Sequence, residues 1–235
     1  MKSGKDQEKE NELVQSYLFV RQAIGIIGFA LPLALLGSTL FGVEMQTSIS
    51  GFYYTQMGDV LVGALSAIGI FLLTYKGYQP KPGERLSDKI TARISGLSAI
   101  GVALFPVGQT TTLTTGFTFH NPLIHYLFAG IFFASLAVFS IFLFTKGDQT
   151  PNGKINWTRR NINFVACGLV IVLAIAALVL YFVQQAKQPA RDQYNYLFWW
   201  ETLGVLAFAT SWLIKGKTLT EFGKMWGRLT TKVSR

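Results

Sequence analysis

Hydrophobic residues in this chain fall into long runs that are separated by short polar segments. The first run, Ala23–Val43, contains 21 residues. A helix rises about 1.5 Å per residue, so this run crosses a hydrocarbon core of about 30 Å. Further runs cover about 53–75, 94–110, 123–145, 162–183 and 196–214. The pattern predicts an all-α, polytopic membrane protein with six transmembrane helices.

Lysine and arginine alternate between the segments that join these runs. Of 21 Lys and Arg residues, 19 lie in the N-terminal segment, segments 76–93 and 146–161, and the C-terminal segment from 215. The remaining two lie in segment 184–195. Basic residues accumulate on the cytoplasmic side of a membrane. We therefore expect an inner (plasma) membrane protein with both termini in the cytoplasm. The alternation also supports the 94–110 span, which is the least apolar of the six.

The same pattern predicts three regions. Residues 1–19 form a polar cytoplasmic tail, 20–216 the six-helix transmembrane domain, and 217–235 a basic amphipathic cytoplasmic tail. In the last region apolar side chains recur at helical steps, opposite a basic face, which favours a helix on anionic inner-leaflet headgroups. A frayed basic tail is the alternative. The apolar positions are Leu219, Phe222, Trp226, Leu229 and Val233.

Three predicted helices end alike, with T-Y-K-G at 74–77, F-T-K-G at 144–147 and L-I-K-G at 213–216. Lysine suits the negative end of a helix dipole, and glycine suits the position just beyond it. The repetition is consistent with three α-hairpins in series, or with six helices that solve one capping problem separately. Pairs of small residues four apart predict close helix contacts. These pairs are Gly63 with Ala67, Ser95 with Ala99, and Gly130 with Ala134.

Composition supports a membrane protein. Half of the residues are hydrophobic and 14% are charged, against about 25% charged residues in soluble domains. The net charge of +9 follows the predicted topology, so no nucleic-acid partner is expected. The single cysteine excludes an intrachain disulfide. No phosphate-binding loop or dinucleotide fingerprint is present in the sequence.

Candidate chemistry lies at the outer membrane face. Asp59 falls in the first turns of the second helix, His125 in the first turn of the fourth, and Glu201 just inside the sixth. Ionisable groups at such depths are costly unless they are paired or hydrated, and they often mark functional sites. We take Asp59, His125 and Glu201 as the candidate catalytic residues.

Three functions fit these residues. Imidazole and carboxylate groups could bind a divalent metal and activate water for hydrolysis of an interfacial or lipid substrate. Asp59 and Glu201 could instead lie on the path of a small-solute or proton-coupled transporter. A non-catalytic membrane scaffold would use the same residues to hold helix ends. The sequence identifies no cofactor, and it leaves open metal binding, enzymatic activity and oligomeric state.

Four segments carry a resemblance to known proteins: I-S-G-F-Y-Y-T (49–55), G-V-A-L-F-P (101–106), the histidine pair His120 and His125, and W-E-T-L-G (200–204). Together they resemble uncharacterised bacterial families of six-helix integral membrane proteins. The resemblance covers most of the chain and implies a six-helix membrane fold. It implies no activity.

Overall fold

A computed structural model describes residues 4–78, 86–107, 111–112, 118–119, 122–148, 155–187 and 194–218, with side chains described from residue 15 onward except in 111–112, 118–119 and at 148. Most of the predicted amphipathic tail, from 219 to 235, lies outside these residues. The described chain forms six α-helices and one short antiparallel pair of strands. They are α1 Gly4–Ser38, α2 Gly58–Thr74, α3 Asp88–Leu104, β1 Thr111–Thr112, β2 Thr118–Phe119, α4 Pro122–Val138, α5 Arg159–Lys187 and α6 Tyr196–Lys215.

Short irregular helices extend or join these elements. A 3₁₀ turn, Thr39–Phe41, follows α1, and Ser50–Tyr54 forms a second 3₁₀ turn before α2. Helix α4 continues as a π-helical segment, Phe139–Leu143, and then as a 3₁₀ turn, Phe144–Asp148. The all-helical architecture predicted from the hydrophobic pattern is thus confirmed.

Four helical segments are long and apolar enough to cross a membrane. They are Gln15–Phe41, Pro122–Gly147, Arg159–Lys187 and Tyr196–Lys215. Helix α2 is apolar but has 17 residues, and α3 also has 17, against the roughly 20 residues of a typical transmembrane helix. The chain therefore has the character of a membrane protein, and four of the six predicted spans meet the criteria of length and composition.

The six helices form a closed ring in chain order, because each helix packs against the next and α6 packs against α1. Neighbouring helices run in opposite directions. Gln22 of α1 bonds to Gly216 just after α6, whereas Gly28, farther along α1, faces Phe208, earlier in α6. Likewise Ser95 of α3 bonds to Ser135 of α4, and Phe105 bonds to His125. Alternate helices consequently share one end of the ring.

One end of the ring carries a group of cations, which we call the basic end: Arg21, Lys146, Arg160 and Lys215. Lys215 is buried, and its ammonium donates to the Phe144 carbonyl oxygen at 3.0 Å. Lys146 donates to the Leu86 carbonyl at 2.8 Å. The three repeated lysine–glycine endings therefore belong to helices that finish at the same end of the molecule.

Helix α3 has the reverse polarity of a helix in a water-soluble protein. Its hydroxyl-bearing side chains, Thr91, Ser95 and Ser98, are buried against the ring. Apolar side chains cover most of the outward face: Ile90, Ile94, Leu97 and Leu104. Near the basic end, Lys89 and Arg93 are also exposed. The low hydropathy of α3 thus comes mainly from the exposed Lys89 and Arg93 and from the buried Asp88, and less from the buried hydroxyl groups.

Helices α2 and α3 approach most closely where two glycines face each other. A Cβ atom on Gly69 would lie 2.9 Å from the Gly96 carbonyl oxygen, and one on Gly96 would lie 2.7 Å from the Gly69 oxygen. The predicted contact at Ser95 and Ala99 is confirmed, because both are fully buried. The predicted close contacts at Gly63 and Gly130 are wrong, since a Cβ on either would meet nothing within 4 Å. Spacing alone did not distinguish inward-facing glycines from outward-facing ones.

We predict that Gly96→Ala destabilises the protein, because the added methyl group must displace the backbone of α2. The expected loss in unfolding free energy is about 1–3 kcal/mol, measured by denaturation of the full chain in detergent micelles. The matched control, Gly63→Ala, adds its methyl group to open space and should leave stability unchanged or slightly higher. Equal stabilities for the two variants would contradict the assigned helix contact.

Candidate functional site

The segment between α1 and α2 folds into a compact turn through its own polar groups. The Gly51 N–H donates to the Ser48 hydroxyl at 3.0 Å, and the Phe52 N–H donates to the Ile49 carbonyl at 3.2 Å. Phe52 is fully buried, and its ring lies 5.9 Å from that of Phe198. These contacts fix the backbone of residues 48–52, which we call the site turn.

The first turns of α6 hold the site turn in place. The Phe198 N–H donates to the Thr47 carbonyl at 2.8 Å, which satisfies an amide that has no partner within its own helix. About one turn farther along α6, the Glu201 carboxyl oxygen Oε2 accepts the Ile49 N–H at 2.6 Å. Glu201 is partly buried, and its carboxyl group interacts with the backbone amides of both Ile49 and Ser50.

Helix α4 reaches the same turn through His125, which is 4% exposed. Its Nδ1 lies 2.7 Å from the Phe105 carbonyl oxygen, and its Nε2 lies 3.0 Å from the Ser50 hydroxyl oxygen. A carbonyl oxygen can only accept, so we assign the proton of the neutral ring to Nδ1. Nε2 is then an acceptor, and the Ser50 hydroxyl donates to it. A serine, a histidine and an orienting acceptor are the elements of an activated nucleophile.

A small cavity adjoins this pair. It is lined by Ser50, His125, Tyr53, Pro106 and apolar residues of α2 and α3, and it measures about 10 Å³. That volume is about the minimum for one water molecule. The cavity beside Ser50 is therefore about the size of one water molecule.

The structure brings two of the three sequence-predicted residues to one segment. His125 contacts Ser50, and Glu201 contacts the adjacent Ile49. Asp59 also lies near this end of the ring, in the first turn of α2, but it is exposed and makes no hydrogen bond to a described residue. Sequence reasoning missed Ser50, since a lone serine in a loop gives no periodic or motif signal.

The described residues contain no group of three His, Cys, Asp or Glu side chains that could hold a metal ion. His120, the second histidine of the sequence, lies outside the described residues. Within the described chain, His125 already uses both ring nitrogens for Ser50 and Phe105. The metal-assisted hypothesis therefore lacks a ligand set in this part of the protein.

No family model matches the chain, and neither does any curated protein or solved structure. The six-helix family resemblance stays a prediction, and any function must be argued from the residues themselves.

We predict that Glu201→Ala releases the site turn, because the buried Ile49 amide loses its acceptor. The unfolding free energy should fall by about 1–3 kcal/mol, the cost of a buried donor that is left without a partner. Glu201→Gln should lose less, since its side-chain oxygen still accepts. Denaturation in detergent measures both variants. Glu44→Ala, at an exposed carboxylate of the same connecting segment, is the control and should match the wild type.

A wild-type stability for Glu201→Ala would contradict this assignment. Equal losses for the alanine and glutamine variants would also contradict it, because they would point to packing and not to acceptance of the amide hydrogen.

Proposed function

We propose that this chain is a six-span integral membrane protein of the inner membrane, with both termini in the cytoplasm, and that Ser50 is a nucleophile for hydrolysis of an ester at the outer interface. The observation that carries the catalytic part is the 3.0 Å contact between the Ser50 hydroxyl and His125 Nε2. The protein would still be an interfacial hydrolase, as the sequence suggested, but a serine–histidine pair would replace the metal ion.

The exposed surface of α3 supports six spans. A helix of a water-soluble protein buries its apolar face and exposes its polar face, which is the opposite of what α3 does. In lipid, the same arrangement solvates Ile94 and Leu97 while the hydroxyl groups bond within the ring. Helix α2 also presents apolar side chains outward, because Val60 and Ile70 are exposed.

The distribution of charge supports the orientation. The basic end of the ring contains Arg21, Lys146, Arg160 and Lys215, whereas His125 and Glu201 belong to the opposite end. Basic residues near membrane spans favour the cytoplasm. The site turn would consequently face the outer side.

The proposed reaction follows the chemistry of a serine nucleophile. Ser50 Oγ attacks the carbonyl carbon of the ester while its proton moves to His125 Nε2. The imidazolium then protonates the departing alkoxide, which leaves an acyl group on Ser50. Water, deprotonated by the same Nε2, releases the acid and restores the hydroxyl. The Phe105 carbonyl keeps the ring in the required tautomer throughout.

The backbone amides beside Ser50 already have acceptors within the protein, which limits their use as oxyanion donors. The Ile49 N–H donates to Glu201 and the Gly51 N–H to Ser48. An oxyanion on the substrate must compete with these acceptors, and removal of one oxyanion donor costs about 10²–10³-fold in typical enzymes. We therefore expect slow turnover.

We predict that Glu44→Cys and Lys89→Cys lie on opposite sides of the membrane. Both would be made in a Cys167→Ser background, which removes the native thiol. A membrane-impermeant maleimide on intact bacterial cells should label position 44, and it should label position 89 only after the cells are broken. Labelling of both positions in intact cells would contradict the six-span proposal, because α2 would then fail to cross the bilayer.

We predict that Ser50 reacts with a fluorophosphonate probe in the detergent-purified full chain. A Ser50 O–P bond would form, fluoride would leave, and His125 would take the proton. Peptide mass spectrometry should locate the label at Ser50, with none there in Ser50→Ala and a rate about 10²–10⁴-fold lower in His125→Gln, the usual worth of a general base. Ser66→Ala, a serine within α2, is the matched control.

Melting temperatures of all variants would separate lost reactivity from lost fold. An unlabelled Ser50 in folded wild-type protein would overturn the hydrolase proposal. The serine–histidine contact would then hold helix ends together, as expected of a membrane scaffold.

A further inference from the structure

A groove that the proposed reaction does not use opens between α1 and the end of α2. It measures about 250 Å³ and is bounded by six residues, three from each side: Ser16, Tyr17 and Val20, then Thr74, Tyr75 and Lys76. The groove lies near the basic end, because Tyr75 bonds to Arg21. It is distant along both helices from the site turn, which adjoins the other end of α2.

The walls of the groove change from polar to apolar. Ser16 and Lys76 are exposed and contribute a hydroxyl group and an ammonium group. About one helical turn along α1 from Ser16, Phe19 is 62% exposed and packs edge-on against Phe71 of α2, with ring centroids 6.5 Å apart. A molecule that fits both regions needs a charged head and an apolar chain.

Positive charge lies directly behind one wall. The Arg21 Nη2 donates to the Tyr75 hydroxyl at 3.2 Å, and its guanidinium carbon is 5.5 Å from the centroid of the Tyr75 ring. The Arg21 Nε is buried and has no hydrogen-bond partner among the described residues. Together with Lys76, this arginine gives the groove a positive potential.

One buried carboxylate opposes this charge in the described part of the basic end. Asp88 is 1% exposed and accepts the Tyr78 N–H at 3.2 Å. Burial disfavours its charged form, and the nearby cations Lys215, Lys146 and Arg21 offset only part of that cost. Among the side chains that the structure describes here, a single carboxylate does not neutralise these three cations and Lys76 even when it is ionised, so an anion is favoured nearby.

We propose that the groove binds one anionic phospholipid, with its phosphate beside Lys76 and Arg21 and an acyl chain along Val20 and Phe19. The charge of the walls selects an anionic headgroup, and the exposed phenylalanine provides apolar surface for the chain. Binding requires that the basic end lies in the membrane interface. It does not depend on the reaction of Ser50 or on the membrane crossing of α2 and α3.

Native mass spectrometry of the detergent-purified full chain tests this lipid site. The protein would receive an equimolar mixture of phosphatidylglycerol and phosphatidylcholine with identical acyl chains. We expect one phosphatidylglycerol to be retained in preference. Lys76→Gln should lower this preference about fivefold, which is the effect of one basic residue at an anionic membrane surface. Ser16→Trp, which fills the groove without changing its charge, should abolish the specific adduct.

Lys89→Gln is the matched control, because Lys89 is exposed in the first turn of α3 near the same end. Ser16 and Lys76 are also exposed, so all three variants should keep the wild-type melting temperature. A wild-type protein without lipid preference would overturn the proposal. So would retention of the lipid by Ser16→Trp, or an equal loss in Lys89→Gln, which would indicate diffuse surface charge.

Two further measurements test the role of the acyl chain and the independence of the groove from Ser50. Millimolar inorganic phosphate should not displace the lipid, and displacement would overturn the role assigned to the acyl chain. Ser50→Ala should bind phosphatidylglycerol like the wild type. Failure of the hydrolase proposal and failure of the lipid site would thus be observed independently.

Discussion

The burial of one lysine ammonium constrains the whole basic end of the helical ring. Lys215 is 8% exposed, donates to the Phe144 carbonyl oxygen, and lies 5.1–5.7 Å from the ring centroids of Tyr78, Phe144 and Phe164. A buried charge is costly unless it is hydrogen-bonded and solvated by other groups, and aromatic faces partly supply that solvation. The ends of α4 and α6, the start of α5 and the segment after α2 must therefore meet.

The irregular end of α4 belongs to this arrangement. The helix changes to π geometry at Phe139–Leu143, where Ile141 packs so tightly on Gly168 of α5 that a Cβ atom there would overlap it. At the same level the Ser140 hydroxyl donates to Ser211 of α6 at 3.0 Å. Such π segments insert a residue into a helix and alter the direction of the side chains that follow. The bulge thus lets one helix contact two neighbours just before it reaches Lys215.

The sequence predicted the features that depend on local pattern and missed those that depend on distant contacts. Helical class and approximate helix positions followed from composition and periodicity, whereas the small-residue spacing that predicted a contact at Ser95 also predicted contacts at Gly63 and Gly130 that the structure lacks. The contact between Ile49 and Glu201 joins residues 152 positions apart, and no periodicity encodes such a pairing. Asp59 was placed by the sequence pattern among groups that need a partner or water, and the structure exposes its side chain on α2. The mean hydropathy of α3 is low because Asp88, Lys89 and Arg93 occupy its first two turns, and the average does not show that the outward face beyond them is apolar.

Two of the contacts at the site turn satisfy backbone groups, and a third contact does not. Glu201 satisfies the amide of Ile49, and His125 Nδ1 satisfies the carbonyl of Phe105, so each compensates a backbone group that is withdrawn from water. The hydrogen bond between Ser50 and His125 Nε2 joins two side chains and relieves no backbone group. Loss of the Ser50 hydroxyl would leave no backbone group without a partner, whereas loss of His125 would leave the Phe105 carbonyl unpaired. The Ser50 hydroxyl is therefore the polar group of the site that folding requires least, and this is the physical basis for assigning chemistry to it.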